Sequence, residues 1–271
     1  MTMTTLAQAE ERRRLPLATA GVTITWADDD SASERFAGYA AVFNSRTSIG
    51  NPLQWGIYEE IAPGAFTKTL QEGDARMLID HDSYYVVSRV SAGTLRLSQD
   101  TKGLVVESDL DTELSYVRDL KANVRNGNIT GMSFGFQVVK DEWKTEEVEV
   151  AGLDDPIEVD VRTIREVRLI EVSAVTWPAY EDTEAGLRSV ATALVHRGDR
   201  AAIERRTVYR PELQDLLRVV GREPCESTRD ADGAEPARST RLSVASIDRV
   251  MRGLAARYRL PHTIDPERTV Q

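Results

Sequence analysis

The run Asn128-Ile-Thr-Gly-Met-Ser-Phe-Gly-Phe136 sets a hydroxyl, Ser133, between two glycines, and the residues that follow, Phe136-Gln-Val-Val139, continue as strand instead of opening a helix. A serine carried on an unbroken strand limits the folds open to the chain. Ile129 to Val139 therefore reads as one strand through Ser133, and β-rich pieces recur before and after it. Many strands of uneven length with only one or two interposed helices predict a mostly β, α+β fold: a closed antiparallel β-barrel core with helices outside. Regular strand–helix alternation is absent, so a doubly wound sheet is disfavoured.

The flanking elements follow from pattern and punctuation. Phe36 to Phe43 reads as a buried strand, Asn44 to Gly64 as loop-rich, and Ala65 to Leu70 as a short helix entered through Pro63-Gly64. Arg76 to Asp80 is a short apolar strand ending directly on His81. Thr94 to Leu97 and Leu104 to Leu110 predict a hairpin around Gln99-Asp-Thr-Lys-Gly103. Glu113 to Asn126 has one apolar face at helical spacing and stops at Asn126-Gly127. Val148 to Val175 contains three further β-rich pieces. Val190 to Arg206, Pro211 to Val220 and Leu242 to Tyr258 carry helical spacing around a polar, turn-rich segment.

At 271 residues and 41% hydrophobic, the chain can bury a substantial core and house a site. No apolar run approaches the roughly 18 to 20 residues that cross a bilayer, and the first residues lack a signal-peptide pattern, so a soluble intracellular protein is expected. The one cysteine, Cys225, excludes an internal disulfide and a cysteine zinc cage. The net charge of −10 is concentrated before residue 190; beyond it Lys is absent and Arg exceeds Asp plus Glu. An acidic body argues against nucleic acid as a partner, because phosphate contacts need a basic face. The Arg-only tail is either a solvated appendage or a segment that docks on an acidic partner.

Ser133 matters chemically because a serine hydroxyl becomes a nucleophile only when a neutral imidazole can take its proton. His81 is the sole histidine in the first 195 residues. The sequence Gly131-Met-Ser-Phe-Gly135 also fits the Gly-x-Ser-x-Gly elbow of α/β-hydrolases, but that elbow joins a strand to a helix, and there the histidine follows the serine. Both contexts are wrong here. On residues alone, a serine between Met and Phe on a strand reads first as a satisfied core hydroxyl, and Asp80-His-Asp82 as a solvated turn or half a metal site.

The succession Gly38-Tyr-Ala-Ala-Val-Phe43, Ile61-Ala-Pro-Gly-Ala-Phe66, His81-Asp82, Gly131-Met-Ser-Phe-Gly-Phe136 and Glu171-Val-Ser-Ala-Val-Thr-Trp-Pro-Ala179 resembles the HK97-type prohead maturation proteases of tailed bacteriophages. The five blocks span residues 34 to 190 in order. That family is related in fold to the herpesvirus assemblins, which implies the same barrel. The resemblance implies that Ser133 is the nucleophile and His81 the general base. For the orienting acid it leaves Glu171 first, with Asp82, Asp80 and Glu166 behind it; the assemblins' second histidine could be matched only by His196 or His262, beyond the matched region. Glu171 could equally be the outward face of an alternating strand.

The resemblance further implies a serine endopeptidase without cofactor or metal. Its partners would be the scaffold and the N-terminal extension of the major capsid protein, cut inside the assembling procapsid in the host cytoplasm, and probably the enzyme itself. Self-association is a further expectation, and neither nucleic acid nor membrane is an expected partner. Residues 1–33 would be a leader or edge segment, 34–190 the protease domain, and 191–271 a tail for targeting or self-cleavage. Two rival functions stand beside this: an inactive capsid-assembly module and an intracellular esterase. Gly131 and Gly135 are expected to let substrate backbone approach the serine, and Phe134, Phe136 and Trp177-Pro178 to be core.

Overall fold

The computed structural model describes residues 10–16, 19, 21, 23–25, 34–150, 153–176 and 184–220. Trp177-Pro178, Cys225, His262 and the helical reading of 242–258 lie outside the described residues. Residues 10–48 and 58–181 make one compact unit; residues 49–57 with the described chain after 182 make another.

The first unit is built on a long antiparallel hairpin, β10 (Gly131–Val148) with β11 (Ile157–Val175), paired from Gly131↔Val175 to Val148↔Ile157. The outer edge of β10 takes β1 (Glu11–Pro16), antiparallel over Gly131 to Phe136. The outer edge of β11 pairs twice in parallel: with β5 (Ile57–Ile61) over Val161 to Ile164, and with β6 (Arg76–Ile79) over Glu171 to Ala174. β6 returns as β7 (Asp82–Arg89), and β4 (Thr47–Ile49) lies beyond β5. A second sheet runs β2 (Thr23–Thr25), β3 (Arg35–Val42), β9 (Gly103–Asp109), β8 (Leu95–Gln99), antiparallel throughout.

The expected closed antiparallel barrel is not what forms. Two open sheets stand side by side in a mixed α+β fold, with no ladder between their edges among the described residues. The departure from an antiparallel barrel shows along β11, whose outer edge carries two separate parallel partners. Between its two parallel partners, the Leu169 N–H is taken by Thr69 Oγ1 at 2.9 Å from α1 (Thr67–Glu72), and the pairing with β10 shifts between Gly135 and Phe136. A helix side chain thus fills the gap between β5 and β6 on that edge. Side chains join the sheets instead: Phe36, Leu104 and Val106 share one core with Met132, Phe134, Phe136 and Val172. Phe43, Phe66, Phe134 and Phe136 pack in a row, tilted, edge-to-face and stacked in turn, with ring centroids 6.1, 5.7 and 4.7 Å apart.

Period-two alternation on β10 sends Met132, Phe134 and Phe136 into that core and leaves Ser133, Gly135 and Gln137 on the opposite face. α2 (Ser115–Arg125) buries Val117 and Leu120 and ends at Asn126 with Gly127 at φ 73°, as the Asn-Gly stop predicts. The three β pieces expected over 148–175 are one 19-residue strand, and the loop-rich 44–64 segment contains β4 and β5. Asp82 to Arg89, left unread in sequence, is a strand whose first four residues are all exposed. In the second unit the helix expected over Val190 to Arg206 breaks at Gly198 (φ 70°) into α3 (Glu184–Arg197) and α4 (Arg200–Arg206). Asp199 caps α4, accepting the Ala202 N–H at 3.0 Å. Arg206 is buried and donates to the carbonyls of Trp55 and Gly56, both at 3.0 Å.

Inside the first unit, charges are buried as a network. Arg13 and Glu11 of β1, Glu59 of β5 and Arg162 of β11 are all 9% exposed or less and pair with one another; Asp141 of β10 closes the chain at 2.7 Å from Arg162 Nε. Burial pushes the Glu11 carboxyl up, but the Arg162 and Arg13 guanidiniums outweigh it and hold Glu11 below its usual range. The network fastens β1, β10, β11 and β5 to one another on the side of the sheet opposite Ser133.

Candidate active site

His81 lies at the tip of the β6–β7 hairpin. Ile79 pairs with Asp82, so Asp80 and His81 form a two-residue connection, and both have positive φ, 49° and 63°. This is the backbone of a type I′ turn, where Asn-Gly is the usual filling. Non-glycine residues in this region cost of order 1 to 3 kcal/mol each and persist only where the surroundings hold them. Those holds are visible. Asp80 N–H donates to the Ala174 carbonyl at 2.9 Å, Asp80 carboxylate oxygens accept from Thr176 N–H and Oγ1 at 2.8 and 2.7 Å, and His81 N–H donates to Ser173 Oγ at 3.3 Å.

The turn aims the imidazole at β11. His81 Nδ1 lies 2.6 Å from Glu171 Oε1, with both side chains almost wholly buried, while His81 Nε2 is buried without a hydrogen-bond partner among the described residues. An Nδ1–H donated to the carboxylate leaves the Nε2 lone pair free, which is the tautomer a general base needs. The other carboxylates weighed for this position are engaged elsewhere: Asp80 on Thr176, Asp82 on the Tyr84 N–H at 2.8 Å, and Glu166 beside Lys68 at 3.8 Å. His196 is exposed on α3.

Ser133 stands directly opposite Ser173 in the β10–β11 register, and Glu171 is opposite Gly135. Ser133, Ser173 and Glu171 thus share one face of the hairpin. The Ser133 hydroxyl is fully buried and donates to the Arg13 carbonyl of β1 at 2.9 Å. Its proton is therefore spent on the neighbouring strand in this conformation. Turning the hydroxyl to His81 Nε2 is the movement that proton transfer would require.

Gly135 serves a purpose other than backbone approach. A Cβ at this position would collide with Glu171 Oε1, so the glycine makes room for the carboxylate that faces His81. Gly135→Ala is expected to push Glu171 off its partner and lower turnover about 10- to 100-fold, the scale at which a small misplacement costs catalysis. A kcat near wild type, measured on a folded variant, would contradict this.

The sequence pattern of the family described as Caudovirus prohead serine protease matches residues 23–196, more than half of the chain. The chain belongs to this family. The prohead protease of Enterobacteria phage HK97 is 32% identical over 158 residues, which are 57% of this chain and 59% of that protein. The chain thus matches less than two thirds of that relative's length. Among solved structures, the bacteriophage T4 capsid assembly protease, gp21, is 10% identical, with a TM-score of 0.38 over 62% of this chain and 98% of that one.

On this member of the prohead protease family, the sheet face that holds Ser133 and Glu171 continues into an open groove of about 830 Å³. Its lining includes Gln137 of β10 and Arg168 of β11, which pair across the hairpin beyond Gly135↔Glu171, together with Arg76 of β6 and Lys68 of α1. Ser133, His81 and Glu171 stand out in the sequence, whereas Ser173 does not. The signal was there in Glu171-Val-Ser173, since residues two apart on a strand share a face.

Proposed function

We propose that the chain is a serine endopeptidase of phage head maturation that cuts scaffold and the N-terminal extension of the major capsid protein inside the assembling procapsid, and also cuts itself. The observation that carries this reading is the His81–Glu171 contact at 2.6 Å, with Nε2 left unpartnered on the sheet face that bears Ser133. In this reading His81 takes the Ser133 proton as the hydroxyl attacks a peptide carbonyl. Glu171 holds the Nδ1–H tautomer and stabilises the imidazolium that forms. His81 returns the proton to the leaving amine, and water resolves the acyl-enzyme by the same route. The groove beyond Gly135 offers room for an extended peptide along the hairpin face. Residues 34–190 carry the protease domain in this proposal, and the Arg-rich segment from 191 docks the enzyme into the shell.

Expression with the cognate capsid protein tests the reading. Wild type should shorten the partner and Glu171→Gln should slow the shortening about 10²- to 10⁴-fold, as loss of the orienting acid does elsewhere. An uncut partner with wild-type enzyme would mean an assembly module. Turnover of small esters alone would mean an esterase.

A further inference from the structure

Ser173 is fully buried and sits between the three residues just described without being one of them. Its hydroxyl has one proton and two lone pairs. The proton goes to Glu171 Oε2 at 2.5 Å, and a lone pair accepts the His81 main-chain N–H at 3.3 Å. Glu171 Oε1, the other carboxylate oxygen, faces His81 Nδ1. A closed ring results: His81 N–H to Ser173, Ser173 to Glu171, Glu171 to the His81 ring.

Two degrees of freedom are removed by this ring. With each oxygen engaged by a different donor, the Glu171 carboxylate cannot rotate about its last torsion without breaking a bond. The backbone of His81, at φ 63°, is held by the same hydroxyl that fixes the carboxylate. A single side chain therefore sets both the height of the imidazole and the direction of its acceptor. Burial makes the bonds matter, because a carboxylate oxygen without a donor at this depth has no water to replace it.

We propose that Ser173 is the positioning residue of this site: it orients Glu171 and His81 together for proton transfer from Ser133, and touches no substrate. The proposal rests on the reading of Ser133, His81 and Glu171 as acyl-transfer machinery. Its test must therefore separate the two.

Phosphorylation by diisopropyl fluorophosphate supplies the probe. The Ser133 oxygen bonds phosphorus, fluoride leaves, and His81 takes the proton, so the maximal inactivation rate reports on proton transfer without any natural substrate. In the full-length chain, Ser173→Ala is expected to lower that rate about 10- to 100-fold, with the half-saturating reagent concentration changed by less than about threefold, as when a group that orients a histidine through its partner is lost. Ser173→Thr, which keeps the hydroxyl, should recover most of the rate. Ser173→Cys, which keeps the volume with a weak donor, should stay near Ala and guards against an Ala variant that fails to fold. In proton NMR, the downfield Nδ1–H resonance of His81 should be present in wild type and Ser173→Thr and lost or shifted upfield in Ser173→Ala and Ser173→Cys. Wild-type rate and resonance in Ser173→Ala would overturn the proposal, as would a Thr variant as slow as Ala. If Glu171→Gln is slow while Ser173→Ala is not, Ser173 alone is misassigned; if Glu171→Gln reacts at the wild-type rate, the reading beneath it falls as well.

Discussion

Ser133→Ala is expected to stop processing of a co-expressed capsid protein, a loss of about 10⁴- to 10⁶-fold in turnover, because a nucleophile that acts as one unit with its base cannot be partly replaced. The fold should survive. Removing the hydroxyl gives up its one bond to the Arg13 carbonyl, which costs about 1 kcal/mol, and leaves the flanking Met132 and Phe134 in place. Gel analysis of the partner together with a thermal melt of the variant separates lost chemistry from lost structure. Shortening that persists in Ser133→Ala would show that the hydroxyl is a core group with no part in the reaction.

Arg162→Met should have the largest effect on stability. Arg162 is 1% exposed and meets Glu11, Glu59 and Asp141; without it Glu11 and Glu59 share Arg13 alone, and Asp141 loses the guanidinium it faces. Breaking a buried ion network from one side costs about 3 to 5 kcal/mol, a large share of the roughly 5 to 15 kcal/mol that holds a typical domain together. Urea melts at pH 7 would show the drop in midpoint. The wild-type protein should lose part of the same stabilisation in acid. Glu11 is held below its usual 4.5, so its contribution is complete above that value and disappears as pH falls through the lower, folded one. Melts between pH 6 and pH 3 should therefore steepen below about 4.5, and less so in Glu11→Gln. A flat profile, or an Arg162→Met variant as stable as wild type, would show that the buried charges do not fasten β1 to the sheet.

Local pattern made several parts of this molecule readable in advance. The alternation around Ser133 gave β10 its inward Phe134 and Phe136, and Asn126-Gly127 marked the end of α2, because both signals are carried by neighbouring residues. Features set by distant residues were not readable. Closure of a barrel depends on which distant edges meet, and nothing near Leu169 announces that Thr69, a hundred residues earlier, takes its N–H between β5 and β6. Gly135 read as room for a ligand, whereas the occupant is the Glu171 carboxylate of the paired strand. β7 escaped notice because Asp82-Ser-Tyr-Tyr85 is exposed, so its strand carries no apolar face to recognise. At the site, Glu171 could be ranked first from the sequence. What could not be seen is that Asp80 and Asp82, its nearest rivals, are each tied to a backbone N–H, of Thr176 and Tyr84 respectively.

The central claim is that His81 activates Ser133 for covalent attack. Its most direct test is to treat the purified full-length chain with diisopropyl fluorophosphate and locate the adduct by peptide mass spectrometry. A single diisopropylphosphoryl group on Ser133 that disappears in His81→Ala is the expected result. A label on another serine, or one on Ser133 that forms equally fast without His81, would contradict it.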